Sequence, residues 1–211
     1  RRAGIGDYGR VHLYPNAHAG YYPGARMLSL KLLYRKSDGR VLGGQAFSLD
    51  AGGADKRISA LSMAIQMEAT IDDLAEAELC YAPQFGSAKD PLNFAGMIAR
   101  SIEGGDMPVA QWDALPPGAL VLDVREAQEV AQDSVPGARH IPLRALRRRL
   151  GELPRDRTIL VSCRSGQRAW LATRILLQNG FDARNIAGGM LARAMLRPQR
   201  AAVPEREPVT G

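Results

Sequence analysis

The sequence predicts two domains of different fold class: an α+β domain with an antiparallel sheet over residues 1–105, and an α/β domain with a parallel sheet over residues 106–196. Three observations predict this division. Strands joined by a tight turn precede the helices of the first half, whereas short apolar strands alternate with helices in the second half. A run rich in Gly and Pro, from Gly104 to Leu120, lies between them. At 211 residues the chain is long enough for each part to bury a core.

The first domain begins with three predicted strands. Val11–Pro15 and Met27–Arg35 are apolar and β-prone, and Val41–Asp50 forms the next such segment. Between the last two lies Lys36–Arg40, whose Ser-Asp-Gly sequence is typical of a turn. The pattern therefore indicates a hairpin in an antiparallel sheet.

Three predicted helices follow these strands. Apolar residues recur at near-helical spacing over Ala54–Met67, where Asp55 is a candidate cap. Thr70 and Asp73 have the spacing of a capping box at the start of a second helix. Pro91–Gly105 begins with Pro and ends with two Gly residues, as expected for a third helix.

The second domain alternates strands with helices. Residues 120–124, 158–163 and 183–189 predict short strands, and the first two are almost continuously apolar. Residues 145–153 and 166–181 predict the helices between them. Ligands of such sheets bind at the carboxyl ends of the strands, so we expect the site there.

Composition limits the partners that we expect. The net charge is +6, and its basic run, Leu143–Leu150, lacks interleaved aromatic residues, so we predict a solvated helix face and no nucleic-acid partner. No apolar run could span a membrane, and we predict none. The two Cys are far apart, which fits a reducing cytoplasm, and the three His show no metal-ligand spacing. The Pro-rich tail, residues 197–211, is predicted to be disordered.

Cys163 is the candidate nucleophile. It lies where the predicted strand ends and a helix begins, so the N–H groups of Arg164–Arg168 can converge on its sulfur, beside the positive end of the helix. Arg164 and Arg168 add positive charge, which stabilises a thiolate. Alternatively, Cys163 is a buried structural residue, because free Cys is often packed in cores.

Residues from about Gln111 to Leu196 resemble a rhodanese homology domain. The segments that carry this resemblance are "VLDVREAQEVAQDSVPGARHIPL", "ILVSCRSGQRAWLATRILLQNGF" and "NIAGGM". The resemblance implies that Cys163 carries a persulfide, with Arg168 as a second catalytic residue. It also implies that the loop binds the sulfur anion through Arg164, Ser165, Gly166 and Gln167. The loop is one residue shorter than that of Cys-dependent phosphatases, which favours sulfur transfer over phosphatase or arsenate reductase activity.

Two departures from the rhodanese pattern lie outside the loop. Ser134 stands where the family usually has His, and no aromatic residue follows the final Gly-Gly. Asp123 and Arg125 belong to a family signature, and we interpret them as support for the loop rather than as mechanistic groups. His140 is interpreted as a structural, hydrogen-bonded residue.

The first half resembles the C-terminal dimerisation domain of flavin-dependent pyridine nucleotide–disulfide oxidoreductases, over residues 3–105. "HAGYYPGARMLSLKLLY", "GRVLGGQAFS" and "ELCYAPQFGSAKDPLNFAGMIA" carry this resemblance. Coenzyme A–disulfide reductases, NADH oxidases and polysulfide reductases are the most similar groups, and several of these enzymes have a rhodanese domain in the same order. The resemblance implies a homodimer formed through residues 1–105.

In that family, tyrosines of the dimerisation domain approach the redox site of the partner subunit. The resemblance makes Tyr81 the first candidate and Tyr22 the second, with its neighbour Tyr21 left open; interface packing is an equal alternative. Cys80 is interpreted as a packed residue. Lys89 and Asp90 are expected to shape the loop and cap the following helix.

In neither half does a Gly-x-Gly-x-x-Gly segment follow a predicted strand, so the sequence contains neither the FAD nor the NAD(P)H fingerprint of dinucleotide-binding folds. The resemblance therefore implies that FAD and NAD(P)H are bound by upstream domains of a longer enzyme, with coenzyme A a candidate ligand at the dimer interface. We expect the chain to be a C-terminal segment that lacks the first strand of the dimerisation sheet. Coenzyme A persulfide, polysulfide and thiosulfate are the expected sulfur donors and acceptors. The alternative is a non-catalytic dimerisation and docking module with an inert rhodanese-like domain.

Overall fold

The computed structural model describes residues 4, 6–48 and 52–196. These residues form a three-stranded antiparallel sheet with helices, followed by a five-stranded parallel sheet with helices. The predicted α+β and α/β fold classes are therefore confirmed. The tail predicted to be disordered, residues 197–211, lies outside the described residues, as do the last two residues of the predicted third strand.

The first sheet contains β1 (Tyr8–Leu13), β2 (Ser29–Arg35) and β3 (Val41–Phe47), in that order. Burial alternates along β2, so one face of the sheet packs on the core and the other is partly exposed. The first strand lies earlier than the predicted Val11–Pro15, because Tyr8 already pairs with Arg35 and the pairing ends at Leu13. Pro15 follows that end and, having no N–H, cannot donate to the ladder.

The helices of the first domain are α1 (Ala54–Gln66), α2 (Ile71–Glu76) and α3 (Pro91–Glu103). The capping box of α2 is confirmed, since Thr70 and Asp73 bond each other's backbone N–H. The prediction that Asp55 caps α1 is wrong: Gly53 occupies that position in the left-handed region, with φ of 67°, and no side chain caps the helix.

The second sheet is parallel and has the order β4-β8-β7-β5-β6. Its central strand, β7, is buried along its whole length, as expected for a parallel sheet covered on both faces. The strands are β4 (Val109–Ala110), β5 (Leu120–Asp123), β6 (Arg139–His140), β7 (Ile159–Ser162) and β8 (Ala183–Ile186). The two-residue strands β4 and β6 have no periodicity that a sequence pattern could reveal.

Four helices accompany this sheet: α4 (Ala127–Gln132), α5 (Leu143–Leu146), α6 (Gln167–Gln178) and α7 (Gly189–Leu196). The helix predicted over 145–153 is only partly present, because α5 ends at Leu146 and a short 3-10 turn follows over Leu150–Glu152. Among the described residues, no helix has the length and apolarity that crossing a membrane requires.

Each domain has its own hydrophobic core, and the two domains touch along one side. Arg10 of β1 forms an ion pair with Asp113 of the second domain. The Tyr14 hydroxyl lies 3.5 Å from the Met195 sulfur of α7. A Cβ atom added to Gly188 would lie 3.0 Å from the Tyr14 ring. The backbone just before α7 therefore packs directly on the first domain.

Candidate functional sites

Cys163 directly follows the central strand β7, at the carboxyl edge of the parallel sheet. The residue is 1% exposed, so its side chain is almost wholly enclosed. The Gly166 N–H donates a hydrogen bond to Cys163 Sγ over 3.2 Å. The loop thus folds back on the sulfur and encloses it.

The carbonyl groups of this loop are bonded on its outer side. The N–H groups of Met190 and Leu191 donate to the Cys163 and Arg164 oxygens over 2.8 and 3.0 Å. The Gly166 oxygen accepts from the Trp170 N–H over 2.8 Å. Because these carbonyls are satisfied away from the sulfur, the loop can turn its N–H groups inward.

Two glycines allow α7 to approach the loop this closely. Gly188 and Gly189 have φ of 67° and 53°, a region that favours glycine. A Cβ atom on Gly189 would overlap the carbonyl oxygen of Cys163 and lie 2.9 Å from that of Arg164. The final Gly-Gly of the domain is therefore required sterically for the contact between α7 and the cysteine loop.

Arg168 lies in the first turn of α6 and is held by Glu129 of α4. Its two terminal nitrogens each donate to a Glu129 carboxylate oxygen over 2.6 Å. This bidentate contact, opposed by partial burial, lowers the pKa of Glu129 to about 2 and raises that of Arg168. The negative charge that Cys163 can carry is a smaller cause of the raised pKa of Arg168.

The other loop residues differ in exposure. Ser165 and Gly166 are half-buried, whereas Arg164 and Gln167 are exposed. Gly166 has φ of 107° and immediately precedes α6. The exposed pair can therefore contact an incoming reactant, while the half-buried pair forms the turn around the sulfur.

Asp123 and Arg125 form a buried ion pair at the end of β5. Arg125 Nη2 lies 2.7 Å from the Asp123 carboxylate, and that hydrogen bond is the main reason that the pKa of Arg125 is raised. Arg125 also donates to the Glu129 and Asp133 carbonyl oxygens over 3.2 and 2.6 Å. The pair therefore fixes α4, and it reaches the cysteine loop only indirectly, through Glu129.

His140 lies where a structural role is expected, with Nε2 2.8 Å from the Arg125 carbonyl oxygen. Ser134, which replaces a His of the rhodanese pattern, accepts at its carbonyl oxygen from Arg193 over 3.3 Å. This contact ties α7 to the segment after α4 and does not use the Ser134 side chain. The departure at this position is therefore compatible with the observed packing.

Two residues near the loop were missed by the sequence analysis. Asn185 of β8 donates from its amide to the Gly166 oxygen over 3.3 Å. Glu129, the partner of Arg168, also accepts from the Glu126 N–H over 3.0 Å as part of a capping box. That box was a visible signal for Glu129, because Glu recurs three positions apart at the start of α4. No local sequence pattern indicates Asn185, because it lies near the loop only as a result of the position of β8 beside β7 in the sheet.

The tyrosines of the first domain form a second candidate site. The hydroxyl groups of Tyr21 and Tyr81 lie 2.6 Å apart. That hydrogen bond is the main cause of a raised pKa at Tyr81. Tyr22 instead packs edge-on against the His18 ring, with centroids 5.8 Å apart. The residue that accompanies Tyr81 is thus Tyr21, not its neighbour.

Backbone contacts join the two segments that carry these tyrosines. The Ala19 N–H donates to the Gly86 oxygen over 2.8 Å. The buried Arg57 side chain donates to the Ala17 oxygen and pairs with Asp90, both over 2.8 Å. Asp90 also caps α3 through the Leu92 N–H, as its position predicted. Backbone hydrogen bonds and a buried ion pair therefore hold together the segments that carry the tyrosine pair.

The interpretation of Cys80 as a packed residue is wrong, because its side chain is exposed. The chain leaves α2 at Glu76 and runs along the surface toward Tyr81, which removes Cys80 from the core. Lys89 is also exposed, and its ammonium lies 3.9 Å from the Met97 sulfur. Among the described residues, no group of three His, Cys, Asp or Glu side chains could hold a metal ion.

Comparison with known proteins identifies both domains. Residues 3–91 match the pyridine nucleotide-disulphide oxidoreductase dimerisation domain, and residues 110–194 match the rhodanese-like domain. The coenzyme A disulfide reductase of Staphylococcus epidermidis is 43% identical over 94 residues, which are 44% of this chain and 21% of that protein. That of Staphylococcus aureus is 42% identical over the same length.

Two solved structures match both domains together. Reduced CoADR-RHD of Bacillus anthracis is 38% identical, with a TM-score of 0.86 over 92% of this chain and 35% of that chain. An NAD-dependent persulfide reductase from A. fulgidus is 37% identical, with a TM-score of 0.79 over 90% of this chain and 34% of that chain. The chain spans about a third of these structures and about a fifth of the curated relatives.

The superposition on the Bacillus anthracis structure covers both domains at once, so the two chains share the order of the domains and their arrangement. The chain therefore joins a domain of the pyridine nucleotide-disulphide oxidoreductase dimerisation family to a domain of the rhodanese-like family, and it is homologous to coenzyme A disulfide reductases that carry a rhodanese domain.

Proposed function

We propose that residues 106–196 act as a rhodanese-type sulfurtransferase. In this proposal Cys163 carries sulfane sulfur as a persulfide. One observation carries this proposal: the Gly166 N–H points at Cys163 Sγ from a loop whose carbonyls are bonded on the outside. Inward N–H groups stabilise a negative sulfur whether it is a thiolate or the outer atom of a persulfide.

The reaction has two displacement steps. The Cys163 thiolate attacks the sulfane sulfur of a donor such as thiosulfate, so a new S–S bond forms and the bond within the donor breaks. The donor remnant, sulfite for thiosulfate, leaves with the electron pair. An acceptor nucleophile then attacks the outer sulfur, and Cys163 leaves as the thiolate. Each step conserves the oxidation level of the transferred sulfur, so no further oxidant is needed.

The loop residues have separate roles in this proposal. Arg164, Ser165 and Gln167 bind the anionic donor or the persulfide, with Gly166 providing the N–H at the sulfur. Arg168 contributes positive charge while Glu129 fixes its position, which makes Glu129 a positioning residue. Asp123 and Arg125 support the loop through α4. The tight loop suits a single sulfur better than a phosphate group.

Residues 1–105 are proposed to form a homodimer and to bring a tyrosine pair to the redox site of the partner subunit. Exposed apolar side chains support an interface, since Phe47, Met63 and Met67 are all largely accessible in one chain. Tyr81 and Tyr21 are the proposed pair, in place of Tyr22, because their hydroxyl groups already meet. A phenol there can donate a hydrogen bond to a thiolate.

The relatives' chemistry implies FAD and NAD(P)H in a longer enzyme. The residues of this chain do not fit either cofactor, because the Gly-x-Gly-x-x-Gly segment at residues 4–9 runs into β1 of an antiparallel sheet and does not open a helix. We propose that other domains of a longer protein bind both. No step of the sulfur transfer described above depends on them.

A second candidate function is a docking module with an inert rhodanese-like domain. The enclosure of Cys163, at 1% exposure, favours it, because a nucleophile must be reached by its substrate. The two functions differ in the fate of the thiol. An inert Cys163 stays unmodified in the presence of a sulfur donor, whereas a carrier acquires one sulfur atom.

The replacement Cys163→Ser tests the proposal. We expect it to abolish transfer of sulfur from thiosulfate and to remove the single-sulfur mass increase that intact-protein mass spectrometry detects after thiosulfate treatment. Cys80→Ser is the matched control and should retain both, since Cys80 lies in the other domain. Full activity in Cys163→Ser would reject the proposal.

A further inference from the structure

We propose that Asn185 is a positioning residue for the reaction of Cys163: its amide holds Gly166 so that the Gly166 N–H stays directed at the Cys163 sulfur. The inference rests on the proposed function and deepens it, because it gives a part in that reaction to a residue outside the cysteine loop. Asn185 lies 19 positions after Gly166 in the sequence and belongs to the neighbouring strand β8.

The backbone of Asn185 is held on both sides by the parallel sheet. Asn185 pairs with Val161 of β7 on one side and with Val109 of β4 on the other. Its N–H donates to the Pro108 oxygen over 2.9 Å. The residue is also buried, with 6% of its surface exposed. Because the side chain starts from the middle of a sheet and is enclosed, it can fix the position of the group that it contacts.

The orientation of the Asn185 amide follows from the atoms around it. Its Nδ2 lies 3.3 Å from the Gly166 oxygen and 3.7 Å from the Met107 sulfur, and both of these atoms are acceptors. A flipped amide would place Oδ1, which cannot donate, against the same two atoms, so the nitrogen must face them. Met107 belongs to the segment 104–108 that joins α3 to β4. The amide therefore connects the cysteine loop to the segment between the two domains.

Gly166 is the residue through which this contact reaches the sulfur. Its oxygen accepts from Asn185 Nδ2 and from the Trp170 N–H, whereas its own N–H donates to Cys163 Sγ over 3.2 Å. With φ of 107°, Gly166 has a conformation that favours glycine, and it has no side chain to restrict its rotation. The hydrogen bonds to its carbonyl oxygen therefore help to hold the residue, and with it the direction of its N–H.

The other amide atom separates this role from a purely structural one. Asn185 Oδ1 is buried and accepts no hydrogen bond from the described part of the chain. A buried acceptor without a donor lowers the free energy of unfolding. If the amide is removed, the Gly166 oxygen still accepts from the Trp170 N–H, so no new unpaired group arises. We therefore expect an apolar replacement of similar size to weaken the reactivity of Cys163 without weakening the fold.

The direction of the Gly166 N–H matters at both steps of the proposed reaction. Cys163 Sγ carries negative charge as the attacking thiolate, and again as the group that leaves when the sulfur is passed on. A hydrogen bond to a charged atom is stronger than one between neutral groups. A poorly directed N–H therefore slows both steps. Binding of the donor, which we assign to the exposed residues Arg164 and Gln167, stays the same, so kcat falls and KM is nearly unchanged.

Asn185→Leu tests the inference, because it removes the amide and keeps the size of the side chain. The first measurement is the pH profile of Cys163 alkylation by iodoacetamide, made in a Cys80→Ser background because Cys80 is exposed. We expect the rate below the midpoint of the profile to fall about fivefold, which moves the midpoint about 0.7 pH unit higher. The rate at high pH, where the thiolate is fully formed, should not change. The kcat of thiosulfate sulfurtransfer should fall about fivefold, and the urea midpoint should not decrease.

Asn179→Leu is the matched control. Asn179 also donates from its amide to a backbone carbonyl, that of Ile175 over 2.8 Å, but at the exposed end of α6. It should leave the pH profile unchanged. Asn185→Ala, which has a smaller side chain, should move the midpoint as Asn185→Leu does. An unchanged midpoint in both Asn185 variants would overturn the inference, and so would a change confined to the rate at high pH, since that would mean that only access to the sulfur had changed.

The two proposals fail in different ways. If Cys163→Ser retains sulfur transfer, the proposed function is wrong. If Cys163→Ser is inactive but the Asn185 variants keep the midpoint of the pH profile and the kcat of the unmodified chain, only the inference about Asn185 is wrong. Alkylation reports on the Cys163 thiol without any sulfur transfer, so it tests the contact with Gly166 independently of the reaction.

Discussion

The cysteine loop and the tyrosine pair are built in opposite ways. Cys163 is enclosed, and the atoms that hold its loop belong to α6, α7 and β8 of the same chain. Tyr21 and Tyr81 are 76% and 47% exposed and share one hydrogen bond at the surface. The groups that hold the cysteine loop thus come from within one chain, whereas the tyrosine pair lies at the surface of the first domain.

The two sites also differ in how their charge is controlled. Arg168 and Glu129 form a bidentate ion pair beside the sulfur, and a second pair, Asp123–Arg125, stands behind it. The tyrosine pair consists of neutral hydroxyl groups, and the hydrogen bond with Tyr21 is the main cause of the raised pKa of Tyr81. Perturbing the loop should therefore change folding and activity together, whereas perturbing the tyrosines should change a local titration and leave folding intact.

The largest expected effect is that of Gly189→Ala. A methyl group there overlaps the Cys163 carbonyl, so α7 and the loop must separate. We expect a loss of about 3 kcal/mol in the free energy of unfolding of the second domain, and at least about a tenfold loss of sulfur transfer. Urea denaturation and thiosulfate sulfurtransfer measure the two.

Gly118→Ala is the control for that replacement. Gly118 also has a positive φ, of 73°, but a Cβ atom there meets nothing within 4 Å. It should therefore show only the smaller backbone cost, about 1 kcal/mol, with sulfur transfer intact. Similar losses in both variants would mean that the contact between α7 and the loop is not what holds the sulfur in place.

An intermediate effect is expected at Glu129. Its folded-state pKa of about 2 is below the ordinary value of 4.5, because the carboxylate accepts from Arg168. Because this pKa is lowered on folding, the ion pair of Glu129 with Arg168 stabilises the folded state fully above pH 4.5. That stabilisation is lost as the pH falls through about 2. Glu129→Gln should lower the free energy of unfolding by about 1 kcal/mol at pH 7 and lose that difference in acid.

Urea denaturation of the unmodified chain and Glu129→Gln between pH 6 and pH 2 measures this difference, because pH 6 lies above the ordinary pKa of 4.5 and pH 2 lies at the folded-state pKa. Glu152→Gln is a suitable control, since Glu152 also pairs with an arginine, Arg149, but on the exposed surface away from the loop. A pH-independent difference between Glu129→Gln and the unmodified chain would contradict the ion pair as its cause.

The smallest effect is expected at the tyrosines. Tyr21→Phe removes the hydrogen bond that raises the pKa of Tyr81, so the Tyr81 phenol should ionise at lower pH. Tyr22→Phe should leave that ionisation unchanged, because Tyr22 packs on His18. Ultraviolet absorbance titration measures the ionisation, and the free energy of unfolding should change by less than about 0.5 kcal/mol in either variant.

If Tyr22→Phe also shifts the ionisation of Tyr81, the pairing differs from the one described here. A large loss in the free energy of unfolding of Tyr21→Phe would contradict the difference that we draw between the cysteine loop and the exposed tyrosine pair.

Local sequence signals predicted much of the fold. The capping box at Thr70, the cap at Asp90, the apolar strand before Cys163 and the turn at Gly188 and Gly189 all depend on neighbours within a few positions. For the same reason, the strands and helices of the first domain, and β5, β7, β8 and α6 of the second, were predicted in the correct order, and the loop was located from the strand, turn and helix pattern alone. The helices α4 and α7 were not predicted.

Apart from the capping box at Glu129, which was a local signal, the contacts that the sequence analysis missed join distant positions. Asn185 reaches Gly166 because β8 lies beside β7, and nothing near Asn185 in the sequence indicates that order. The choice between Tyr21 and Tyr22 depends on where Tyr81 lies, across 60 positions. The exposure of Cys80 depends on the path of a segment without regular structure. Each requires the tertiary arrangement, which no local pattern encodes.

The double glycine at the start of α7, Gly188 and Gly189, has a mechanical consequence. Gly188 lies against the Tyr14 ring of the first domain, and the next residue, Gly189, lies against the carbonyl of Cys163. The peptide bond between Gly188 and Gly189 thus connects the boundary between the domains to the loop of Cys163. We expect a small hinge rotation between the domains to displace the loop before it disturbs either core.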